Sequence, residues 1–453
     1  MSTDRTLDVA PRRARAAVGC EATSANADLD EGRTGVAEQI RAARPGGDSW
    51  IDSAEHRAWL DVERDGLFDF AARSVHPAGF GWLSDDGTID PERPIELWIT
   101  CRMTHVFALA TLVGRPGAAE LTDHGLAALT DRFRDRVDDG WFSSITVDGP
   151  VDDGKAAYAH AFVVLAASSG VAAGRPGAEA LLTDALAVNE QRFWREADGM
   201  VVDAWDRRWS AADPYRGVNA NMHTVEAYLA AADATGDLVW QARADRITRR
   251  VLGWASANDW RIPEHFDEDW NPLLEYHRNQ PRHRFQPYGA TIGHGLEWSR
   301  LCLHLAAALA AADPTAEVDA LREGAIALYD RAAADGWAVD GADGFVYTTD
   351  WSGQPVVRDR LHWVVNEATN AAAALWIETG DPRYAAPYRQ WWDYADRYLI
   401  DRDRGSWRHE LDPGNAPSAE VWSGKPDAYH AVQATLIPQL PLAPSLAAAL
   451  ARG

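Results

Sequence analysis

Six apolar segments recur along the sequence, and they constrain the fold more than any other feature. Each begins with polar and aromatic residues and continues as an Ala-rich, almost uncharged stretch, as in YAHAFVVLAASSG and VVNEATNAAAALWIETG. From Arg102 in the first segment to His430 in the last, they are spaced about 66 residues apart on average. Because a helix that is apolar nearly all round is a buried one, the pattern predicts six inner helices.

A second set of six segments alternates with the first and is amphipathic, with one charged face. Such segments suit an outer layer, because only one of their sides is apolar. Each helix pair needs its neighbours to cover its apolar faces, so the array is expected to close into one all-α domain, an (α/α)6 barrel over residues 51–453. The amphipathic segments cover residues 53–73, 118–136, 177–193, 239–254, 318–333 and 383–399.

The links between the two sets differ at the two ends of the predicted barrel. Those that lead into inner helices contain tight turns followed by aromatic and β-branched residues, a pattern that predicts short β-hairpins around one mouth. The opposite links, which include two copies of GRPGA, are short and are expected to close the other end. The predicted hairpin turns are Asp139-Gly140, Asp198-Gly199, Asp343-Gly344 and Gly405-Ser406.

Residues 1–50 have a different character from the rest of the chain. They are rich in Arg, Ala, Gly, Asp and Ser and show no sustained apolar periodicity, which predicts a disordered N-terminal extension. The Arg12-Arg13 pair is not followed by the apolar core that a twin-arginine export signal requires. The three cysteines are scattered and too few for a disulfide framework, so a cytoplasmic location is expected.

The charge of the chain limits its partners. A formal net charge of -24 disfavours nucleic acid and anionic membrane surfaces. No stretch offers the roughly 18 uninterrupted apolar residues of a membrane helix. A small molecule of little charge is therefore the expected partner, whereas the oligomeric state does not follow from the sequence.

Polar residues stand near the start of all six otherwise apolar segments. If these helices begin at one mouth, their first turns meet there and direct unpaired backbone amides inward, so we expect a site at that end. The residues that this places together are Arg102, His105, Tyr158, His160, Asn219, His223, Glu226, His294, Glu297, Asn366, Glu367, His430 and Gln433.

Some members of this set have a structural interpretation. His105 and His160 are interpreted as core histidines whose hydrogen bonds are satisfied within the protein. For Arg102 two interpretations stay open, a contact to substrate or an ion pair with Glu96 or Glu367. The tryptophans are mostly expected in the core, although some of them can line a pocket, where flat aromatic faces suit sugar rings.

His223, His294 and His430 are the predicted functional histidines. His294 and Glu297 are three residues apart on a predicted helix and share a face, so the carboxylate can stabilise the ring when it takes up a proton. A metal hydrolase is conceivable, because His and Glu at these spacings can ligate a metal, but no HExxH motif occurs in the sequence and no cysteine cluster contributes.

Two kinds of sugar chemistry fit these residues. An inverting glycosidase would need an acid and a base carboxylate, for which Glu226, Glu297 and Glu367 are available. Each of them has a histidine or an asparagine nearby, however, and this favours histidine as the proton carrier. Proton abstraction next to the carbonyl of an open-chain sugar is therefore the favoured reaction.

Several motifs resemble those of the N-acylglucosamine 2-epimerase superfamily. They are AGFGW at residues 78–82, RMTH at residues 102–105, YRGVNANMHTVEA, EHFDEDWNPL, HRFQPYGATIGHGLEW and GKPDAYHA. The resemblance covers roughly residues 50–445 and is greatest with the branch of mannose isomerases and sulfoquinovose isomerases. It implies an (α/α)6 barrel that interconverts aldoses with ketoses, or 2-epimers, without a redox cofactor or an essential metal.

The resemblance also implies roles for individual residues. His294 and His430 would lie across C1 and C2 of the open-chain sugar, one removing the C2 proton and the other exchanging protons with the two oxygens through a cis-enediol. His223 would assist ring opening, and Glu226 and Glu297 would orient the imidazoles. The predicted substrate-binding residues are Arg102, which would also stabilise the enediolate, Tyr158, Asn219, Arg284, Trp363 and Gln433.

Conversion of D-mannose to D-fructose, with D-lyxose and D-xylulose as further substrates, is the expected activity. A sulfoquinovose isomerase is the second expectation; it would need an extra cation, for which Arg282, His283 and Arg284 are candidates. A mannose/glucose 2-epimerase uses the same proton chemistry and stays open. A sugar-binding regulatory protein on the same barrel is the non-enzymatic alternative.

Overall fold

Thirteen α-helices lie in residues 50–452, the part of the chain that this computed structural model describes. The extension predicted for residues 1–50 lies outside the described residues, except for Trp50. In chain order the helices are α1 (Ala54–Ala71), α2 (Leu97–Leu112), α3 (Ala118–Ala127), α4 (Ala157–Ala172), α5 (Ala178–Val188), α6 (Val218–Thr235), α7 (Val239–Ala257), α8 (Ile292–Ala312), α9 (Asp319–Gly336), α10 (His362–Thr379), α11 (Ala385–Tyr394), α12 (Tyr429–Leu436) and α13 (Leu446–Arg452).

The even-numbered helices α2 to α12 are the six apolar segments, and they form the inner layer. In α4 every residue from Ala159 to Gly170 is buried, as expected for a helix without a polar face. Each inner helix packs on the next, and α12 packs on α2, so the ring closes. The odd-numbered helices α1 to α11 surround it, and each buries one face. In α7 this face carries Trp240, Ala244, Ile247 and Val251. The predicted (α/α)6 barrel is thus confirmed.

Short strands surround the N-terminal ends of the inner helices. They are β1 (Val75–His76), β2 (Gly79–Phe80), β3 (Ile95–Glu96), β4 (Ser144–Thr146), β5 (Gly149–Asp152), β6 (Lys155–Ala156), β7 (Trp194–Arg195), β8 (Met200–Val201), β9 (Ala204–Trp205), β10 (Arg216–Gly217), β11 (His265–Phe266), β12 (Ala290–Thr291), β13 (Thr348–Thr349), β14 (Pro355–Val357), β15 (Arg360–Leu361) and β16 (Glu410–Leu411). All of their pairings are antiparallel.

Most of these strands join neighbouring units of the barrel. The strand before each of five inner helices pairs with a strand in the link of the following unit, in the pairs β3 with β4, β6 with β9, β10 with β11, β12 with β13, and β15 with β16. The first backbone N–H of the helix donates across the same junction, as from Val218 to Glu264 O and from His362 to His409 O, both at 3.1 Å. The polar first turns of the inner helices are therefore held in one ring.

The predicted hairpin turns are only partly correct. Asp198-Gly199 joins β7 to β8, as expected. At the other three turns a single bridge forms, between Arg134 and Trp141, Trp337 and Phe345, and Ile400 and Trp407. The residues that would extend these hairpins instead pair with the preceding unit through β4, β13 and β16. No helix among residues 50–452 is long and apolar enough to cross a membrane.

Candidate active site

A pocket of about 650 Å³ lies inside the ring of inner-helix N-termini. Nine of the eleven residues predicted for the site line it: Arg102, Tyr158, Asn219, His223, Arg284, His294, Glu297, Trp363 and His430. The other two, Glu226 and Gln433, do not line this pocket and contribute to the layer beneath it. The sequence did not single out several other lining residues, among them Phe285, Tyr347, His362, His409, Trp422 and Asp427.

His294, at the start of α8, is hydrogen-bonded to a carboxylate from a neighbouring unit. Its Nδ1 lies 2.9 Å from Glu264 Oε2, and both side chains are buried. The spacing had predicted Glu297 as the partner, and this was wrong because Glu297 lies one turn deeper and binds Arg300 instead. Since a carboxylate oxygen only accepts, Nδ1 of His294 donates, and Nε2 is left for the pocket.

His430, at the start of α12, has the same arrangement with another glutamate. Its Nδ1 lies 2.9 Å from Glu367 Oε1. Burial lowers the pKa of His430 below its ordinary value, although the hydrogen bond to Glu367 opposes this shift. For Glu367 burial would raise the pKa, but the Arg300 guanidinium and the hydrogen bond from His430 outweigh burial and lower it. The carboxylate is therefore charged and holds a neutral imidazole with its proton on Nδ1.

Trp363 packs beside both imidazoles. Its ring centroid lies 5.4 Å from that of His294 and 5.6 Å from that of His430. A side chain at Gly293 would collide with the Trp363 ring, so glycine at this position allows the indole to pack beside His294. The two rings proposed for proton transfer thus share one neighbour inside one cavity.

His223, on α6, differs from the other two pocket histidines. Within residues 50–452 its buried Nδ1 has no hydrogen-bond partner. The nearest carboxylate oxygens are those of Glu226 at 3.8 Å and Glu297 at 4.0 Å. Burial lowers its pKa to about 3, although the nearby Glu226 opposes the shift, so His223 is a neutral imidazole at physiological pH. It can exchange hydrogen bonds with a ligand without carrying a charge.

Arg102, on α2, is the buried cation of the pocket. It donates to Tyr158 Oη at 3.0 Å and to Asp427 Oδ2 at 3.4 Å, so its ion-pair partner is Asp427 and not Glu96 or Glu367. Burial opposes the charged form, but Tyr158 and Asp427 outweigh burial and raise the pKa of Arg102. The guanidinium therefore stays charged and fixed in position.

At the mouth, aromatic rings surround a second arginine. The Arg284 guanidinium lies over the Trp422 ring at 4.8 Å and over the Trp82 ring at 5.6 Å, and its Nε donates to Val421 O at 3.4 Å. Asn219 also lines the pocket, and in the described chain its buried Oδ1 accepts no hydrogen bond. The upper part of the pocket thus combines flat aromatic faces with a few hydrogen-bonding groups.

Arg300 forms the floor of the pocket, and sequence reasoning did not identify it. Its Nε donates to Glu367 Oε2 at 2.6 Å, and its Nη2 donates to Glu297 Oε1 at 3.1 Å and lies 3.8 Å from Glu226 Oε1. Gln433 completes the floor by accepting from Arg300 at 3.3 Å and donating to Glu226 Oε1 at 2.9 Å. One buried guanidinium thus holds three buried glutamates.

The carboxylates of the floor do not form a convincing metal site. Two groups offer ligand atoms within 4.8 Å of one another: His223, Glu226 and Glu297, and Glu297, Glu367 and His430. Arg300 already lies within 3.8 Å of all three carboxylates, however, and supplies the positive charge there. A metal ion at either position would face this guanidinium at close range, which is unfavourable.

A second cavity of about 560 Å³ lies behind the floor, at the C-terminal ends of the inner helices. Glu226 and Arg300 line it together with His105 and His304. His105 donates from Nδ1 to Ser169 Oγ at 2.7 Å, as its structural interpretation requires, but its buried Nε2 has no hydrogen-bond partner within residues 50–452. Glu226 therefore lies behind the residues that line the pocket, since it lines this rear cavity and not the front one.

Comparisons with known proteins match this chain to one protein family over most of its length. The N-acylglucosamine 2-epimerase (GlcNAc 2-epimerase) family matches residues 78–434, which is more than half of the chain. A D-mannose isomerase from Thermobifida fusca is 54% identical over 406 residues, covering 89% of this chain and 98% of that protein. A D-mannose isomerase from Pseudomonas cannabina pv. alisalensis is 48% identical over 404 residues, covering 89% and 97%.

The fold has a close counterpart among solved structures. A crystal structure of a D-mannose isomerase superposes with a TM-score of 0.79 at 28% sequence identity, covering 87% of this chain and 99% of that one. The relatives are isomerases, and the chain is an enzyme of this class. The family match and the two relatives lead to one conclusion: this chain belongs to the N-acylglucosamine 2-epimerase family.

Proposed function

We propose that this enzyme interconverts D-mannose and D-fructose by proton transfer between C1 and C2. The observation that carries the proposal is the pair of imidazoles, His294 and His430, each hydrogen-bonded through Nδ1 to a buried glutamate in one pocket. Two relatives that are 54% and 48% identical to this chain and are named D-mannose isomerase support the choice of substrate. The residue roles that follow are part of the proposal.

The first step is the binding and opening of the sugar ring. Trp363 offers a flat face to the sugar, and Tyr158 and Asn219 offer hydrogen-bonding groups to its hydroxyls. His223, which is neutral, takes the proton of the O1 hydroxyl and returns it to the ring oxygen as the bond between C1 and that oxygen breaks. The product is the open-chain aldose with a carbonyl at C1, and no net proton is gained or lost.

The isomerisation itself moves one hydrogen between neighbouring carbons. One of His294 and His430 enters the step as a neutral imidazole and removes the C2 proton through Nε2, while the other enters it as the imidazolium and protonates O1 from Nε2, and a cis-enediol forms. The second imidazole then removes the O2 proton, and the first returns a proton to C1, which gives the ketose. The Arg102 guanidinium stabilises the negative charge that develops on the oxygens, and each buried glutamate stabilises its histidine while that ring carries a proton.

The reaction is tested by incubating the protein with D-mannose in heavy water. We expect D-fructose that carries deuterium at C1 and, from the reverse reaction, mannose with deuterium at C2, both detected by proton NMR. Fructose without any deuterium would indicate a direct hydride shift and would contradict the proposal. If no aldose is converted, a sugar-binding role is favoured instead.

The same assay with other sugars distinguishes the related activities. Turnover is expected with D-mannose and D-lyxose, and glucose as the main product from mannose would identify a 2-epimerase. Sulfoquinovose should be converted much more slowly, because its sulfonate needs a dedicated cation. Arg102 is bound by Tyr158 and Asp427, and Arg284 is stacked on Trp422. Faster turnover of sulfoquinovose than of mannose would overturn the assignment.

Glu264→Gln is expected to lower kcat for mannose by about 10- to 100-fold with little change in KM. The amide still accepts a hydrogen bond from His294 Nδ1, but it provides no negative charge when the ring takes up a proton. Steady-state kinetics measure the effect. Glu268→Gln is the matched control, because Glu268 is exposed in the same link and its replacement should leave kcat unchanged. Equal rates for the two variants would show that Glu264 does not assist His294.

A further inference from the structure

Among the three glutamates in the floor of the pocket, Glu297 has the fewest hydrogen-bond donors around its carboxyl group. Glu367 is contacted by Arg300, His430 and Asn370. Glu226 accepts from Tyr429 and Gln433. Glu297 accepts one hydrogen bond, from Arg300 to Oε1 at 3.1 Å, and its buried Oε2 has no partner anywhere in residues 50–452.

The charges of the floor indicate that one carboxyl group is protonated. Three glutamates lie within 3.8 Å of a single guanidinium, and all are buried or nearly so. Three negative charges against one positive charge, in a region of low dielectric, are strongly unfavourable. Among neighbouring carboxyl groups, the proton is bound most readily by the one whose ionised oxygen would accept no hydrogen bond. That place is Oε2 of Glu297.

We propose that Glu297 is a neutral carboxylic acid in the working enzyme and that its Oε2–H group donates a hydrogen bond to an oxygen of the bound sugar. The inference rests on the proposed function for the identity of the ligand, whereas the protonation of Glu297 stands on the contacts of the floor alone. Glu297 lines the pocket next to His223, so a sugar in the pocket can accept this hydrogen bond. Glu297 would thereby be a further substrate-contacting residue.

The titration behaviour of the carboxyl group agrees with the contacts. Burial raises the pKa of Glu297 well above its ordinary value, and the neighbouring carboxylates of Glu367 and Glu226 raise it further, while Arg300 and Arg102 oppose the shift. The neutral form is therefore favoured through the neutral pH range. The titratable or charged groups that face Glu297 are Arg102 on α2, Tyr158 on α4, His223 and Glu226 on α6, Arg300 on α8, Glu367 on α10, and Tyr429 and His430 on α12.

Infrared spectroscopy of the whole protein tests the protonation without any substrate. The carboxylic acid carbonyl band is recorded at about pH 9, because burial raises the pKa of Glu96 and Asp203 only to about 7 and their bands should then be lost. We expect a band that persists in the wild-type protein, disappears in Glu297→Gln and remains in Glu226→Gln. Absence of this band from the wild-type protein would overturn the proposal, whether or not any variant folds.

Kinetics with mannose test the hydrogen bond to substrate. Gln resembles a neutral glutamic acid because its amide can accept from Arg300 and donate to the sugar, so Glu297→Gln should lower kcat/KM much less than Glu297→Met does. Glu297→Met removes the donor and should lower kcat/KM by about tenfold. Glu367→Gln, which neutralises a carboxylate proposed to be ionised, should lower kcat by about 100-fold.

The infrared and kinetic results test different parts of the proposal for Glu297. Loss of activity in Glu297→Gln as large as in Glu297→Met would overturn the donor role, and survival of the infrared band in Glu297→Gln would overturn the protonation. If no sugar is turned over, the proposed function fails, but the band still decides whether Glu297 is neutral. The two failures are therefore distinguishable.

Discussion

Replacing His430 by Asn is expected to lower kcat for mannose isomerisation by about a thousandfold. The Asn side chain can still hydrogen-bond Glu367, which accepts from His430 Nδ1 at 2.9 Å, but it provides no nitrogen that takes up and returns a proton in the neutral pH range. Fructose formation under saturating mannose measures the loss. Deuterium exchange at C1 of fructose in heavy water should be lost in parallel, because it depends on the same proton transfer.

A matched control separates this effect from damage to the fold. His124 lies on outer helix α3, where Nε2 hydrogen-bonds His76 O at 3.0 Å and Gly79 O at 2.9 Å. The variant His124→Asn removes the same chemical group far from the pocket and should retain kcat within about twofold. Both variants should unfold at a similar urea concentration. A His430→Asn protein that keeps most of its activity would contradict the proposed role of this imidazole.

The barrel was predictable because its sequence signal is local. A helix that is apolar all round, such as α4, and a helix with one apolar face, such as α7, differ in composition within a single segment. The positions where inner helices begin follow from the same signal, and seven of the thirteen polar residues that it placed together line the pocket, whereas Arg284 and Trp363 followed from the resemblance. The strand pairings between units were harder to predict from the sequence, since two-residue strands such as β10 and β11 carry almost no periodicity.

The partners of the site residues were harder to predict because they come from other units of the barrel. Helical spacing favoured Glu297 as the partner of His294, yet His294 donates its hydrogen bond to Glu264, 30 residues earlier in the chain. Glu264 follows a link and is brought to the mouth by the backbone bond from Val218. The ion pair of Arg102 with Asp427 spans 325 residues. Such contacts depend on closure of the ring, which one sequence does not encode locally.

Glu226 was predicted to belong to the site, but it lies deeper along its inner helix than the residues of the first turn. Glu226 follows His223 by three residues on α6, which carries it about 4.5 Å further from the mouth. At that depth it meets Arg300 and lines the rear cavity instead of the pocket. The Glu297-to-Arg300 spacing on α8 is the signal that could have indicated this floor, because residues three apart on a helix form ion pairs.

Arg300→Met is expected to destabilise the protein by about 3–5 kcal/mol, the largest effect on stability that we predict. The methionine fills most of the space of the arginine, but the carboxyl groups of Glu226, Glu297 and Glu367 lose the guanidinium that they share within residues 50–452 and stay buried or nearly so. Urea unfolding at neutral pH measures the loss. Because the pKa values of these carboxyl groups in the folded variant should then be raised, the folded state binds more protons, and the loss should be smaller at about pH 5 than at about pH 8.

Arg322→Met is the matched control for Arg300→Met, because it removes an arginine whose ion pairs are exposed. Arg322 also pairs with carboxylates, those of Glu378 and Asp319, but its side chain is 40% exposed. Water and salt screen such a pair, so its loss should change the free energy of unfolding by no more than about 1 kcal/mol. If the two variants are equally stable, then Arg300 is not the charge on which the floor depends. In that case the charges of the glutamates would have to be neutralised in some other way, and Glu297 would not be the single protonated carboxyl group of the floor.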